Sequence, residues 1–196
     1  MRYILASNNK GKLREMKALL NDMGAELISQ SEAGLSLEAE ETGTTFEENS
    51  LIKARAACRA LSLPSIADDS GLEVEALGGA PGVYSARYGG CATDAERVSL
   101  LLKNLTGEEN RRAKFVSCIS CVYPNGDVIT ARGECAGVVT SAPRGSGGFG
   151  YDPVFEFPET GKTMAELSEE EKNAVSHRGR ALKIFETKLR EYNADK

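Results

Sequence analysis

The sequence predicts an α/β protein, a mixed β-sheet flanked by helices. Three features carry that reading. The chain opens with a strand, a polar loop and a helix in succession; helical and strand-like patterns then alternate; and a long hairpin follows, so both parallel and antiparallel pairing are required.

Tyr3-Ile4-Leu5-Ala6 reads as a short buried strand, with Ser7 to Lys12 as the polar loop after it. Leu13, Met16, Leu19, Leu20 and Met23 then recur at helical spacing, and Gly24 stands as a C-terminal stop. Glu26 to Ser29 is a second strand and Glu38 to Gly43 an acidic loop. Thr44-Thr45-Phe46-Glu47-Glu48 holds two overlapping capping boxes for a helix reaching Leu61, which Pro64 closes off. Ser65 to Ala67 is a short strand running into Asp68-Asp69-Ser70-Gly71, and Leu72 to Val74 begins another. Gly78 to Gly82 is a turn cluster. Thr93 to Glu96 is a further capping box, and Val98, Leu101, Leu102 and Leu105 form the apolar stripe of its helix. From Lys114 the pattern turns β-branched and aromatic: Phe115 to Tyr123 and Asp127 to Val139 form a hairpin through Pro124-Asn125-Gly126. A Gly-rich loop covers Ser141 to Gly150, and a last helix covers Arg180 to Tyr192 with Leu182, Phe185 and Leu189 facing inward.

The 196 residues, 41% hydrophobic and 27% charged, suffice for one domain or two closely joined lobes with a core that needs no staples. No apolar run approaches the length of a membrane span. The five cysteines are odd in number and unevenly spaced, which suits a reducing compartment and makes the cytoplasm the expected location. A net charge of −5 argues against broad wrapping of nucleic acid, so an anionic ligand must be met by a local group of Lys and Arg.

Five segments can carry chemistry. At Ser7-Asn8-Asn9-Lys10-Gly11-Lys12, helix N-terminal amides and two lysines suit phosphate oxygens, without Walker spacing; the alternative is an ordinary strand-to-helix turn. Asp68 and Asp69 are adjacent carboxylates that repel unless a cation lies beside them, and a hard metal ion is the usual partner. Alternation along a strand lets one of them face a ligand while the other orients from behind; a capped turn is the competing reading. Glu40-Glu41 precede the helix bearing Glu48, Asn49 and Lys53, so a carboxylate from that loop can complete a Mg²⁺ site while Lys53 lies against phosphate. In Gly147-Gly148-Phe149-Gly150-Tyr151-Asp152-Pro153, two aromatics suit stacking on a base whose edge Asp152 would meet, or else Phe149 plugs a small apolar cluster. Near the final helix, in Lys172-Asn173-Ala174-Val175-Ser176-His177-Arg178, His177 (the one histidine) with Arg178 supplies donors for a purine carbonyl or a phosphate; the alternative is a structural histidine near a helix start. Cys118 and Cys121 form a C-x-x-C inside a strand, where positions three apart face opposite sides, so both read as core thiols.

Together these segments, with Gly78-Gly79-Ala80-Pro81-Gly82 and Ser85-Ala86-Arg87-Tyr88, resemble the inosine/xanthosine triphosphate pyrophosphatases over almost the whole chain. Asn8 departs from the Gly common at that place in the family. The resemblance implies an elongated mixed sheet with helices in two lobes around a central cleft, usually as a homodimer. It implies Mg²⁺-dependent hydrolysis of ITP, dITP, XTP or dXTP to the monophosphate and pyrophosphate, which clears them from the nucleotide pool. By motif, Asp69 would be the general base and a metal ligand, and Glu41, or its neighbour Glu40, the second metal carboxylate. Ser7 to Lys12 with Lys53 would hold the triphosphate, and Ser70 would contact substrate beside the base. Phe149, Gly150, Tyr151, Asp152, Lys172, His177 and Arg178 would form the nucleobase pocket. The competing readings are a Maf-type pyrophosphatase acting on pyrimidine or modified nucleotides and a catalytically silent nucleotide binder; the carboxylates gathered near the lysines disfavour the silent binder.

Overall fold

The computed structural model describes residues 2–7, 9–22, 24–37 and 39–194, apart from the side chains of Lys10, Glu15, Ala18, Leu19 and Asp22. Asn8, Met23 and Glu38, and the side chains of Lys10 and Leu19, therefore lie outside the described residues. Seven strands form one sheet in the order β2-β1-β3-β4-β5-β6-β7. Strand β1 (Arg2–Leu5) pairs in parallel with β2 (Glu26–Ser29) and β3 (Ser65–Val74), whereas β5 (Val128–Val139), β6 (Phe155–Phe157) and β7 (Lys162–Thr163) pair antiparallel, so the sheet is mixed as expected. β4 (Arg112–Val122) lies between β3 and β5.

Five helices accompany the sheet: α1 (Lys10–Asp22), α2 (Phe46–Leu61), α3 (Asp94–Asn104), α4 (Glu169–Val175) and α5 (His177–Ala194). Their starts follow local chemistry. Thr45 and Thr93 close the expected capping boxes with Glu48 and Glu96, each bond in such a cap being worth about 1 kcal/mol. Two more boxes, Thr163 with Glu166 and Ser168 with Glu171, open a 3₁₀ turn and α4. At the end of α1, Gly24 takes the left-handed backbone a helix stop requires.

The structure differs from the sequence expectation in six elements. Helix α1 begins at Lys10 rather than after Lys12, because the Asn9 side chain caps it by accepting from the Lys12 amide at 3.1 Å. Residues 65–74 form one continuous strand, not two separated by an Asp-Asp-Ser-Gly turn. Aspartate disfavours strands, but both acids here find partners, as described below. Helix α4 and the short strands β6 and β7 are additional, and α5 starts three residues before Arg180.

The chain divides into two compact units: residues 1–69, 117–133 and 181–196, and residues 70–116 and 134–180. The first has a core of Tyr3, Leu5, Met16, Leu20, Ile66, Ile119 and Phe185 with neighbours, and a smaller cluster around Ile4, Ala54 and Ala57. The second is built on Leu72, Val98, Leu101, Phe115, Tyr151, Phe155 and Met164. All five cysteines are free thiols. Burial pushes the thiols of Cys118 and Cys121 up, Cys118 to about 11, so both are neutral core groups as expected. No described helix is long and apolar enough to cross a membrane.

Candidate active site

In the first unit the site is a meeting of lysines and carboxylates. The middle of β3 presents Asp68 and Asp69, both buried. Because neighbouring strand residues point to opposite faces, the two acids take different partners. Asp68 accepts a hydrogen bond from Ser117 Oγ on β4 at 2.8 Å and pairs with Lys12 Nζ at 2.9 Å. Asp69 Oδ1 lies 2.7 Å from Lys53 Nζ. Lys53 also reaches Glu41 Oε1 at 2.8 Å, and both lysines donate to the Asp68 carbonyl at 3.2 Å. A cavity of about 250 Å³ opens among these groups, lined by Ser7, Lys12, Gln30, Glu41, Lys53 and Asp68 with apolar neighbours.

Local structure explains the convergence. Lys53 sits on α2 one turn beyond Asn49, whose Oδ1 accepts from the Gly43 amide at 2.8 Å, while the Thr44 and Thr45 amides donate to Glu48. The acidic loop is thereby folded onto the first turn of the helix that carries Lys53. Gly43 has no room for a side chain against Asn49 and Glu48. Of the two loop acids it is Glu41 that meets Lys53; Glu40 is exposed.

Burial pushes the Asp69 carboxyl up from the ordinary aspartate range, against the opposite pull of Lys53 and Lys12. Burial alone would lower the Lys53 ammonium, yet Asp69 and Glu41 together hold it above its ordinary value. Two carboxylate oxygens thus converge on one positive point. That all-oxygen pair suits a hard divalent ion such as Mg²⁺, which binds through one or two carboxylates and keeps several waters.

In the second unit the site is two cations beneath an aromatic ring. Lys172 Nζ pairs with Asp152 Oδ2 at 2.7 Å and lies 4.8 Å from the centre of the Phe149 ring. Arg178 lies 5.6 Å from the same ring and donates to Ser70 Oγ at 3.1 Å. Lys172 closes α4 and Arg178 opens α5; Gly179 makes the junction possible, since a Cβ there would collide with the Asn173 carbonyl. An arginine in a first helical turn opposes the helix dipole, and this one is 2% exposed. The face of Phe149, the Ser70 hydroxyl and the charge of nearby Asp152 offset that cost. Asp152 also accepts from the Phe149 amide at 2.9 Å, and burial pushes its carboxyl up despite Lys172.

The remaining residues expected at the base pocket divide. The His177 ring is buried and stacks on Phe115 at 4.7 Å and 14°. Its Nδ1 is 4.0 Å from Cys135 Sγ. Tyr151 is placed in the core, where its hydroxyl donates to the Ser85 carbonyl at 2.9 Å, so it packs rather than offering a free face for stacking as the sequence suggested. Gly150 donates its amide to Asp94. At the opening loop, Ser7 Oγ accepts from the Asn9 amide at 3.1 Å and Gly11 lies in the first turn of α1; Asn8 and the Lys10 side chain are outside the described residues. Ser117 and Asp94 carry no local signal of their parts here, since each meets its partner only through tertiary pairing, across 49 and 56 positions.

The model of the Ham1 family matches residues 3–188. The chain is 52% identical over 188 residues to a dITP/XTP pyrophosphatase of Thermus thermophilus, covering 94% of this chain and 90% of that protein. It is 47% identical over 195 residues to the Escherichia coli K12 protein of the same name, covering 96% and 98%. Among solved structures, a HAM1 protein from Coxiella burnetii matches with a TM-score of 0.92 at 45% identity, covering 97% of this chain and 99% of that one. With this agreement in sequence along nearly its whole length and in fold, the chain belongs to the Ham1 family.

Proposed function

We propose that this protein hydrolyses non-canonical purine nucleoside triphosphates, dITP and ITP, XTP and dXTP, to the monophosphate and pyrophosphate, which keeps them out of DNA and RNA synthesis. The observation that carries the reading is the grouping of Lys12 and Lys53 with Asp68, Asp69 and Glu41. A pure binder of triphosphate gains nothing from carboxylates beside its lysines; a hydrolase needs them. The names of the Thermus and E. coli relatives support the same substrate class.

Lys12 and Lys53, with the amides at the start of α1, would hold the phosphates and offset charge that builds on the leaving pyrophosphate. Mg²⁺ held by Glu41 and Asp69 would supply further neutralisation and acidify the attacking water. Asp69 would take the water's proton. A positioned base of this kind is worth about 10²–10⁴ in rate. Asp68, bound by Ser117, would orient Lys12 from behind. At the base, Arg178, Lys172 and His177 would face the 6-oxo group of hypoxanthine or xanthine with donors, where adenine's amino group would leave them unpaired. Phe149 would cover the base, and Ser70 would contact substrate beside Asp69. We also read the protein as a cytoplasmic homodimer, an expectation from the family resemblance to which the free thiols add support for a reducing compartment.

The test is a panel of ITP, XTP, ATP, GTP and dTTP with Mg²⁺, separating monophosphate, pyrophosphate and orthophosphate, with Asp69→Asn alongside. Monophosphate and pyrophosphate from ITP and XTP, lost in Asp69→Asn, are expected. Orthophosphate release, a dTTP preference or ATP turnover as fast as ITP turnover would each overturn the reading.

A further inference from the structure

We propose that Asp94 is a positioning residue for base recognition: by holding the Gly150 amide, it keeps the Phe149 ring over Lys172 and Arg178. The inference rests on the purine-nucleotide reading above.

Phe149 is 39% exposed, so burial does not dictate where its ring lies. The backbone around it is permissive, because Gly148 and Gly150 both adopt positive φ, at 72° and 63°, and glycine pays no steric cost for alternatives. Three amide bonds select one arrangement. Gly147 donates to the Ala165 carbonyl at 3.0 Å, Phe149 to Asp152 Oδ2 at 2.9 Å, and Gly150 to Asp94 Oδ2 at 2.8 Å. Asp152 already belongs to the base cluster. Asp94 does not: it comes from the first turn of α3 and touches neither cation.

As an acid in the first turn of α3, Asp94 favours the helix dipole, but the cap itself does not use it. The start of α3 is already closed by Thr93 and Glu96. One Asp94 oxygen binds Arg97, one turn on, whose guanidinium also donates to the Cys91 carbonyl at 2.9 Å. That clamp fixes the carboxylate and leaves its second oxygen aimed at Gly150. The contact is charge-assisted, and Arg97 and the Gly150 amide hold the Asp94 carboxyl below its usual range against the effect of burial.

The experiment compares Asp94→Ala, Asp94→Asn and Arg97→Met in the full chain, reading steady-state hydrolysis of ITP and ATP and calorimetric binding of IMP and of Mg²⁺-pyrophosphate. Asp94→Ala is expected to raise KM for ITP roughly tenfold, with kcat within about twofold, as loss of a charge-assisted bond to a positioning amide predicts. The ITP-over-ATP preference and IMP affinity fall with it, while pyrophosphate affinity holds. Asp94→Asn keeps an oxygen for Gly150 and should stay within about threefold of the original KM. Arg97→Met, which frees the carboxylate it clamps, should show part of the same effect. An Asp94→Ala enzyme with unchanged KM and preference would overturn the inference, as would a parallel loss of pyrophosphate affinity. If the unaltered protein fails to turn over ITP, the functional reading itself falls and this inference with it.

Discussion

Both units gather cations, half-buried in the first and buried in the second, but they neutralise them differently. In the first unit Lys12 and Lys53 are matched by Asp68, Asp69 and Glu41, ammonium against carboxylate, with a cavity alongside. In the second, Lys172 pairs with Asp152, Arg178 donates to Ser70, and both lie against the face of Phe149. Charge paired with charge can be rearranged when an anion or a metal ion arrives, because each lysine can exchange a carboxylate for a phosphate. A cation beneath an aromatic ring keeps its direction and its hydrogen-bonding capacity, which suits recognition of a shape. Under the proposed function, turnover would fall to one unit and selectivity to the other, and each part of that proposal is open to test.

The largest expected effect separates kcat from KM. Asp69→Asn should lower kcat by at least about a hundredfold with a modest change in KM, as removal of a general base predicts. Lys172→Met should do the reverse, raising KM for ITP and eroding its preference over ATP; steady-state kinetics on both nucleotides decides. If the two variants behave alike, the division of labour is wrong.

Next is the response to Mg²⁺ without substrate. Lys53→Met leaves Asp69 and Glu41 facing each other without their shared cation, costing on the order of 3 kcal/mol, as for other buried pairs broken on one side. Mg²⁺ should then raise the melting temperature of Lys53→Met more than that of the unaltered protein, since an ion that binds only the folded state stabilises it. Equal shifts in differential scanning fluorimetry would show that the carboxylates do not share a metal.

Smaller again is Phe149→Ala, which removes the ring over both cations. Stacking of a base on an aromatic ring is worth about 1–3 kcal/mol by alanine substitution, so IMP should bind roughly tenfold more weakly while pyrophosphate binds as before. Calorimetry with both ligands reads this directly.

The smallest effect concerns pH and capping. Among the described residues, the first unit has one capping box and the second has three. Hydrogen bonds from backbone amides and cap hydroxyls hold Glu48, Glu96, Glu166 and Glu171 below the usual glutamate value of 4.5. A carboxyl depressed on folding stabilises the protein above 4.5, and that contribution is lost as pH falls through the folded-state value. Changing Glu96, Glu166 and Glu171 together to Gln should therefore lower the urea midpoint near neutral pH, with the gap to the unaltered protein closing below pH 4.5. A constant gap would show that the caps act through size rather than charge.

Much of this was legible locally. The boxes at Thr45 and Thr93, the stop at Gly24 and the Asn125-Gly126 hairpin are short-range effects, decided by residues within a turn of each other. The helix start at Lys10, the unbroken strand β3 and helix α4 were not. Asp68-Asp69-Ser70-Gly71 has the composition of a turn, and only the hydroxyl of Ser117 and the ammonium groups of Lys12 and Lys53 make two aspartates tenable in mid-strand.

By itself, then, the sequence determined the long helices and strands and the mixed sheet, because periodicity, capping and turn chemistry act over a few residues. Tertiary structure alone decided that Glu41 rather than Glu40 meets Lys53, that Tyr151 faces the core while Phe149 covers two cations, and that Asp94 reaches Gly150. Those outcomes depend on distances between residues far apart in the chain. Such distances are set by strand pairing and helix packing, and they leave no trace in local composition.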